Sequence, residues 1–168
     1  ILNDFISESN YIIFSEVSNL AEHYKTLSAV FPIIINKQNQ ILLARRANTG
    51  YMDGKWDFAG SGHVDENETA TQAVIREAKE EMGILVSVND VKFAHLSHRI
   101  GKNGNRTYYD IYFFIKAFTG IPFIAEPEKC SGLRWFGIDG LPEDMIDIRK
   151  KVLYECLNAN TYSEFIIE

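Results

Sequence analysis

The chain has 168 residues, 46% of them apolar and 24% charged, which is ordinary globular usage and excludes a disordered chain, a collagen-like repeat or a disulfide scaffold. Seventeen Lys and Arg against twenty-three Asp and Glu leave a net charge of −6. That balance argues against a general nucleic-acid binder, which needs a basic footprint, but not against a phosphorylated small molecule whose divalent cation carboxylates can hold.

Along the chain, Phe14, Val17, Leu20, Ala21, Tyr24 and Leu27 recur at helical steps and predict an amphipathic helix in an N-terminal extension spanning 1–28. Ala29 to Ile35 and Gln40 to Arg45 read as two strands joined by the polar turn Asn36-Lys37-Gln38-Asn39. Gly50 to Gly62, with glycines and aromatics interleaved, reads as loop and short strand. The strongest helix runs from Thr69 to Met82: Thr69 and Gln72 form a capping-box pair, and Gly83-Ile84 is a left-handed stop. Leu85 to Ile100 and Thr107 to Phe118 read as strands either side of a glycine-bearing loop, the second apolar enough from Ile111 to Ile115 to be covered on both faces. Leu133 to Ile138 reads as a further strand, and a last helix is expected from about Glu143 to Leu157.

Cys130 and Cys156 are far apart in sequence, which predicts reduced thiols and not a zinc or redox pair. The apolar runs fall far short of the ~20 residues that span a bilayer. No basic, apolar leader opens the chain, so a cytoplasmic location is expected.

Chemistry concentrates on the central helix. Glu77, Glu80 and Glu81 stand at i, i+3 and i+4, on one face. A bare run of this kind is commonly a solvated acidic face. Three crowded carboxylates nonetheless repel one another, and Mg²⁺, with Mn²⁺ as a substitute, would remove the repulsion while taking up phosphate oxygens. Val74, Ala78 and Met82, with Thr71 and Ile75 beside them, form the adjoining face that packs on a sheet, while Ala70 and Ala73 are expected to leave room for a ligand.

Written out, Gly62, five residues, Glu68, seven residues, then Arg76-Glu77-Ala78-Lys79-Glu80-Glu81-Met82-Gly83-Ile84 resembles the Nudix box of the MutT-type pyrophosphohydrolases. All seven fixed identities are met, an outcome of about one in a million by chance at residue frequencies near 7%. Similarity extends to Leu42–Arg46, Gly54–Phe58, Trp135-Phe136 and Leu141-Pro142, so that 29–168 is expected to be one Nudix domain. One departure is Ala59-Gly60-Ser61-Gly62, where many relatives carry a Pro-Gly-Gly run; Ser61 either changes loop flexibility or places a hydroxyl near phosphates.

The resemblance implies an α/β (α+β) fold of the Nudix type, an α/β/α sandwich with a mixed central sheet. It also implies Mg²⁺-dependent hydrolysis of a nucleoside triphosphate, or of a nucleoside diphosphate linked to another group X. By motif position Glu77, Glu80, Glu81 and the Gly62 carbonyl are the metal ligands. Arg76 orients a box carboxylate, Glu68 serves a second metal or pairs with Arg76, and Lys79 faces solvent. Glu81 is the first choice for general base, with Glu126 and Glu128 as loop candidates. Arg45, Arg46, Trp56, Gly60 and Ser61 are candidate substrate contacts. Tyr51, Trp56, Phe58 and Tyr108 are either base-stacking residues or core. His23, His63, His95 and His98 lack metal-ligand spacing. The implied partner is a nucleotide, with neither nucleic acid nor membrane, and a homodimer is left open. A nucleotide-sensing protein without turnover is the alternative.

Overall fold

The computed structural model describes residues 24–101 and 106–167, and the structure below is that of these residues. In order they form β1 (Leu27–Ile33), β2 (Gln40–Arg46), β3 (Trp56–Phe58), β4 (Gly62–His63), α1 (Ala70–Met82), β5 (Val91–Gly101), β6 (Thr107–Ile115), β7 (Cys130–Gly137), α2 (Asp147–Leu157) and β8 (Tyr162–Ile167).

A mixed five-stranded sheet has the order β4-β1-β6-β5-β8, and β2 is the centre of a three-stranded antiparallel sheet, β3-β2-β7. In the larger sheet β1 runs parallel to β6 and β8 parallel to β5, while β5–β6 and β1–β4 are antiparallel. Because strand side chains alternate, β1 divides its residues between two cores. Ala29, Phe31 and Ile33 pack with Ile148, Val152, Leu153 and Cys156 of α2, whereas Val30 packs with Ala73, Val74, Ala78 and Met82 of α1. The two helices thus cover opposite faces, and β6, lying between β1 and β5, contributes Tyr112 to one core and Phe113 and Ile115 to the other.

Local chemistry explains α1. The Thr69 hydroxyl accepts from the Gln72 N–H, the Gln72 side chain accepts from the Thr69 N–H, and Gly83 closes the helix at φ 66° with its N–H on the Lys79 carbonyl. The capping-box and left-handed-stop expectations both hold here.

Several boundaries differ from the sequence reading. The helix expected from Phe14 lies mostly outside the described residues; within them, Leu27 already belongs to β1 and Tyr24 is exposed, its hydroxyl paired with that of Thr107. Leu85 only bridges to Thr119, and a single 3₁₀ turn capped by Ser87 precedes β5, so the strand begins six residues later than expected. The last helix starts at Asp147 because residues 144–146 are tied to Trp56 instead: Trp56 N–H donates to Asp144, and Ile146 N–H donates to Trp56. Ala73 is fully buried against the sheet and leaves no room for a ligand, contrary to expectation. Strand β8 was not anticipated; buried His95 secures it, one ring nitrogen on the Asn160 carbonyl and the other on the Ser163 hydroxyl. Both cysteines are free thiols. Among the described residues no helix is long and apolar enough to cross a membrane.

Candidate active site

The acidic face of α1 is organised by Arg76. Its Nε and Nη2 grip both oxygens of Glu68 at 2.9 and 3.0 Å, while Nη1 donates to Glu77 at 2.7 Å and to Glu80 at 3.0 Å. Nη2 also reaches the His63 carbonyl, which ties β4 to the helix. One guanidinium therefore gathers three of the four box carboxylates, with Glu68 just before the Thr69 cap, as its sequence position suggests. Its proton is held more tightly than usual, chiefly by the hydrogen bond to Glu68, and the same bond holds the Glu68 carboxyl below its ordinary range.

Glu81 stands apart from this grip. Its carboxylate accepts the Gly60 N–H at 2.9 Å and is otherwise largely enclosed. Burial, reinforced by repulsion from Glu77, pushes its pKa up to about 7. Burial also raises Glu77, against the pull of Arg76. Gly62 is required by close approach: a Cβ there would overlap the Glu77 carboxylate. Glu80 is half-exposed and Lys79 exposed. Among the described residues no three acidic, His or Cys side chains already converge as a cation cage, because Glu77 and Glu80 are turned onto Arg76.

Two cavities adjoin these groups. A smaller one of about 210 Å³ is lined by Glu81, Gly60, Ser61, Arg45, Arg46, Glu126 and Lys129, among others. A larger cleft of about 570 Å³ lies beside Gly62 and His63 and reaches Tyr51, Tyr108, Arg99 and Arg149. Arg46, Thr49, Asp57 and Ser61 line both, so the two are continuous.

Of the candidate substrate contacts, Arg45, Arg46, Gly60 and Ser61 are brought to this space and Trp56 is not. Trp56 packs edge-on against Phe136, with ring centroids 4.8 Å apart, and lines neither cavity. Phe58 is core, whereas Tyr51 and Tyr108 line the cleft. Arg45 is held by the Gly54 carbonyl, and Arg46 by Tyr51, Thr49 and Asp57. Glu126 reaches the smaller cavity, paired with Lys129. Glu128 does not; its main-chain carbonyl accepts from Asn48.

Sequence reading missed the floor of the larger cleft. Asp57, Asp110 and Arg149 are each no more than 2% exposed, and Arg99 is 7% exposed. Asp110 accepts from Arg99 Nε and from Arg149 Nη1, both at 2.9 Å, and Asp57 accepts from Arg149 Nε at 3.2 Å. The Tyr112 hydroxyl meets Arg149 Nη1 at 2.6 Å, and burial pushes its pKa up. A signal did exist: Arg149 shares the helical stripe of Met145, Val152, Leu153 and Cys156, so a charge there is necessarily buried and must be paired.

The NUDIX domain model matches residues 25–156. A Bacillus subtilis (strain 168) protein named "Putative 8-oxo-dGTP diphosphatase" is 32% identical over 77% of this chain and 78% of its own length. The CTP pyrophosphohydrolase of Escherichia coli (strain K12) is 39% identical over 39% of this chain and 48% of its own. Among solved structures, a MutT NUDIX hydrolase from Burkholderia pseudomallei superposes with a TM-score of 0.70 at 25% identity, covering 78% of this chain and 98% of that one. Family model, relatives and fold agree with the complete box on α1, and the chain belongs to the Nudix hydrolase family.

Proposed function

We propose that the protein hydrolyses a phosphoanhydride bond in a nucleoside triphosphate, or in a nucleoside diphosphate linked to X, with Mg²⁺ or Mn²⁺ as its cofactor. The observation that carries this reading is the surplus of carboxylates at α1 beside the cleft: Glu68, Glu77 and Glu80 share one arginine, and Glu81, outside that grip, is buried close to Glu77 with its pKa raised to about 7. Buried like charges of this kind are relieved by a cation, and their hard oxygen donors fit Mg²⁺.

Glu77, Glu80, Glu81 and the Gly62 carbonyl would hold the ion, Glu77 and Glu80 turning from Arg76 to do so. Bound there, it would neutralise phosphate charge and make water more acidic, the two needs of phosphoanhydride cleavage. Arg76 keeps Glu68 and the helix face in register. Glu81 is the first choice to take a proton from water, since the Gly60 N–H fixes its carboxylate, and Glu126 is the alternative in the same cavity. Arg46, which lines both cavities, would meet phosphate oxygens of the substrate.

The test is turnover of a nucleotide panel with Mg²⁺ and Mn²⁺, reading pyrophosphate against orthophosphate, for the wild type and for Glu80→Gln and Glu81→Gln. Loss of a ligand or base should lower kcat by about 10²–10⁴-fold with the fold intact. Unchanged rates in both variants would overturn the assignment. Tight nucleotide binding with no turnover by the wild type would favour the sensing alternative.

A further inference from the structure

The connection between β6 and β7, residues 116–129, contains no regular element, yet it is tied down at both ends. Connections of that length without secondary structure of their own are uncommon in compact domains and are commonly functional. Leu85 and Thr119 exchange two main-chain hydrogen bonds, of 2.9 and 2.8 Å. The Phe123 N–H then donates to the Met82 carbonyl and the Ala125 N–H to the Glu81 carbonyl, both at 3.1 Å. These carbonyls belong to the last turn of α1, which the helix itself leaves unsatisfied. At the far end the Ala47 N–H donates to the Lys129 carbonyl and the Asn48 side chain to that of Glu128. The connection is thus a strap from the end of α1 to the loop after β2, and it carries Glu126 and Lys129 into the smaller cavity that Glu81 also lines.

Phe123 seats this strap. Its ring lies so close against Gly83 that a Cβ on Gly83 would overlap it. Gly83 is therefore needed twice, for its left-handed φ of 66° and for the notch it leaves. Phe123 is 55% exposed against 87% for Ile121 two residues earlier, so the ring is a seated side chain and not part of the core. Two residues beyond it, Ala125 holds the main chain of Glu81, whose side chain is fixed in turn by the Gly60 N–H. The next residue is Glu126, gripped by Lys129 Nζ at 3.0 Å from each oxygen. A shift of the strap on the helix end would move Glu126 relative to Glu81.

We propose that Phe123 is a positioning residue: seated in the notch of Gly83, it holds the strap on the end of α1 and so sets the spacing of Glu126 from Glu81. The proposal rests on the hydrolase reading above. It goes beyond that reading in naming a residue that lines neither cavity and acts through one that does. Misplacement by about 1 Å from a change away from the chemistry can cost about 100-fold in rate, so loss of the seat should appear in kcat.

The experiment measures kcat and KM on the fastest nucleotide of the panel with Mg²⁺, for the wild type and for variants of the strap. Phe123→Ala should lower kcat by about 10- to 100-fold with KM kept within about three-fold. Phe123→Leu, which refills part of the notch, should lose only about three- to five-fold, and Ile121→Ala should stay within about two-fold of the wild type. In a Glu126→Gln background Phe123→Ala should cost less than about two-fold more, because the two residues then act as one unit. A Phe123→Ala enzyme with wild-type kcat, a Glu126→Gln enzyme with full kcat, or a Phe123 effect undiminished in the Glu126→Gln background would each overturn the proposal. If Phe123→Ala does not fold, Phe123→Leu replaces it in the cycle, where a loss that vanishes beside Glu126→Gln supports the seat and an undiminished one overturns it. If the wild type hydrolyses no nucleotide, the hydrolase reading fails separately, and hydrogen exchange still reads the seat. The Phe123 and Ala125 amides should then exchange at least about ten-fold faster in Phe123→Ala, or in Phe123→Leu in its place, than in the wild type, and equal exchange would sink the proposal.

Discussion

Two groups of charged side chains border the same cleft, and they are built on opposite terms. At α1, three glutamates share one arginine while Glu81 stands apart, the groups are partly open to solvent, and the Glu81 pKa is pushed up to about 7. On the floor, Arg99 and Arg149 meet Asp57 and Asp110 with almost no exposure and close hydrogen bonds, and the more open Arg46 reaches Asp57 at 3.4 Å. A cluster with surplus negative charge gains when a cation arrives, whereas a paired, buried one gains only when its geometry is left alone. A surplus of negative charge thus distinguishes the α1 cluster, and paired, buried charge distinguishes the floor.

The sharpest way to break this contrast is to remove one floor carboxylate. Asp110→Asn leaves Arg99 and Arg149 without their shared partner and should cost about 3–5 kcal/mol of stability in urea melts. Glu80→Gln, on the half-exposed face, should change stability by less than about 0.5 kcal/mol. Equal losses in the two variants would dissolve the distinction.

A pH series tests the surplus side. With metal chelated, the raised pKa of Glu81 means that the folded state binds its proton more tightly than the unfolded state does. Its contribution to stability is therefore greatest below the ordinary value of 4.5 and falls as pH rises through about 7. Added Mg²⁺ needs the ionised carboxylate, so its upward shift of Tm should grow between about pH 5 and pH 8. A shift of the same size at both ends would mean that Glu81 takes no part in binding.

The smallest effect separates the helix from its charges. Thr69→Ala removes the cap and should cost about 1 kcal/mol in the same urea melts. A loss as large as that of Asp110→Asn would show that α1 and the floor are not independent.

The two clusters also differ in how far sequence reveals them. Glu77, Glu80 and Glu81 are legible because the helical period turns a spacing of three and four residues into a shared face. The same locality makes the Thr69 cap and the Gly83 stop readable. Asp57, Arg99, Asp110 and Arg149 come from β3, β5, β6 and α2, and no spacing links them. What sequence does offer is two anomalies, Asp110 inside a strand apolar enough to be covered on both faces, and Arg149 on an apolar helical stripe. Boundaries slipped where long-range bonds overrode local preference, as when Trp56 claims residues 144–146 that would otherwise extend α2. Strand β8 is secured by His95, a partner about 65 residues away, which periodicity does not register.

The cleft is walled by helices that pack on different faces of one sheet, and its two cavities have only Arg46, Thr49, Asp57 and Ser61 in common. On the proposed reading, substitutions in β5, β6 and α2 would alter the larger cavity while leaving the acids of α1 in place. The four shared positions are the bottleneck, since a replacement there would reshape both cavities at once.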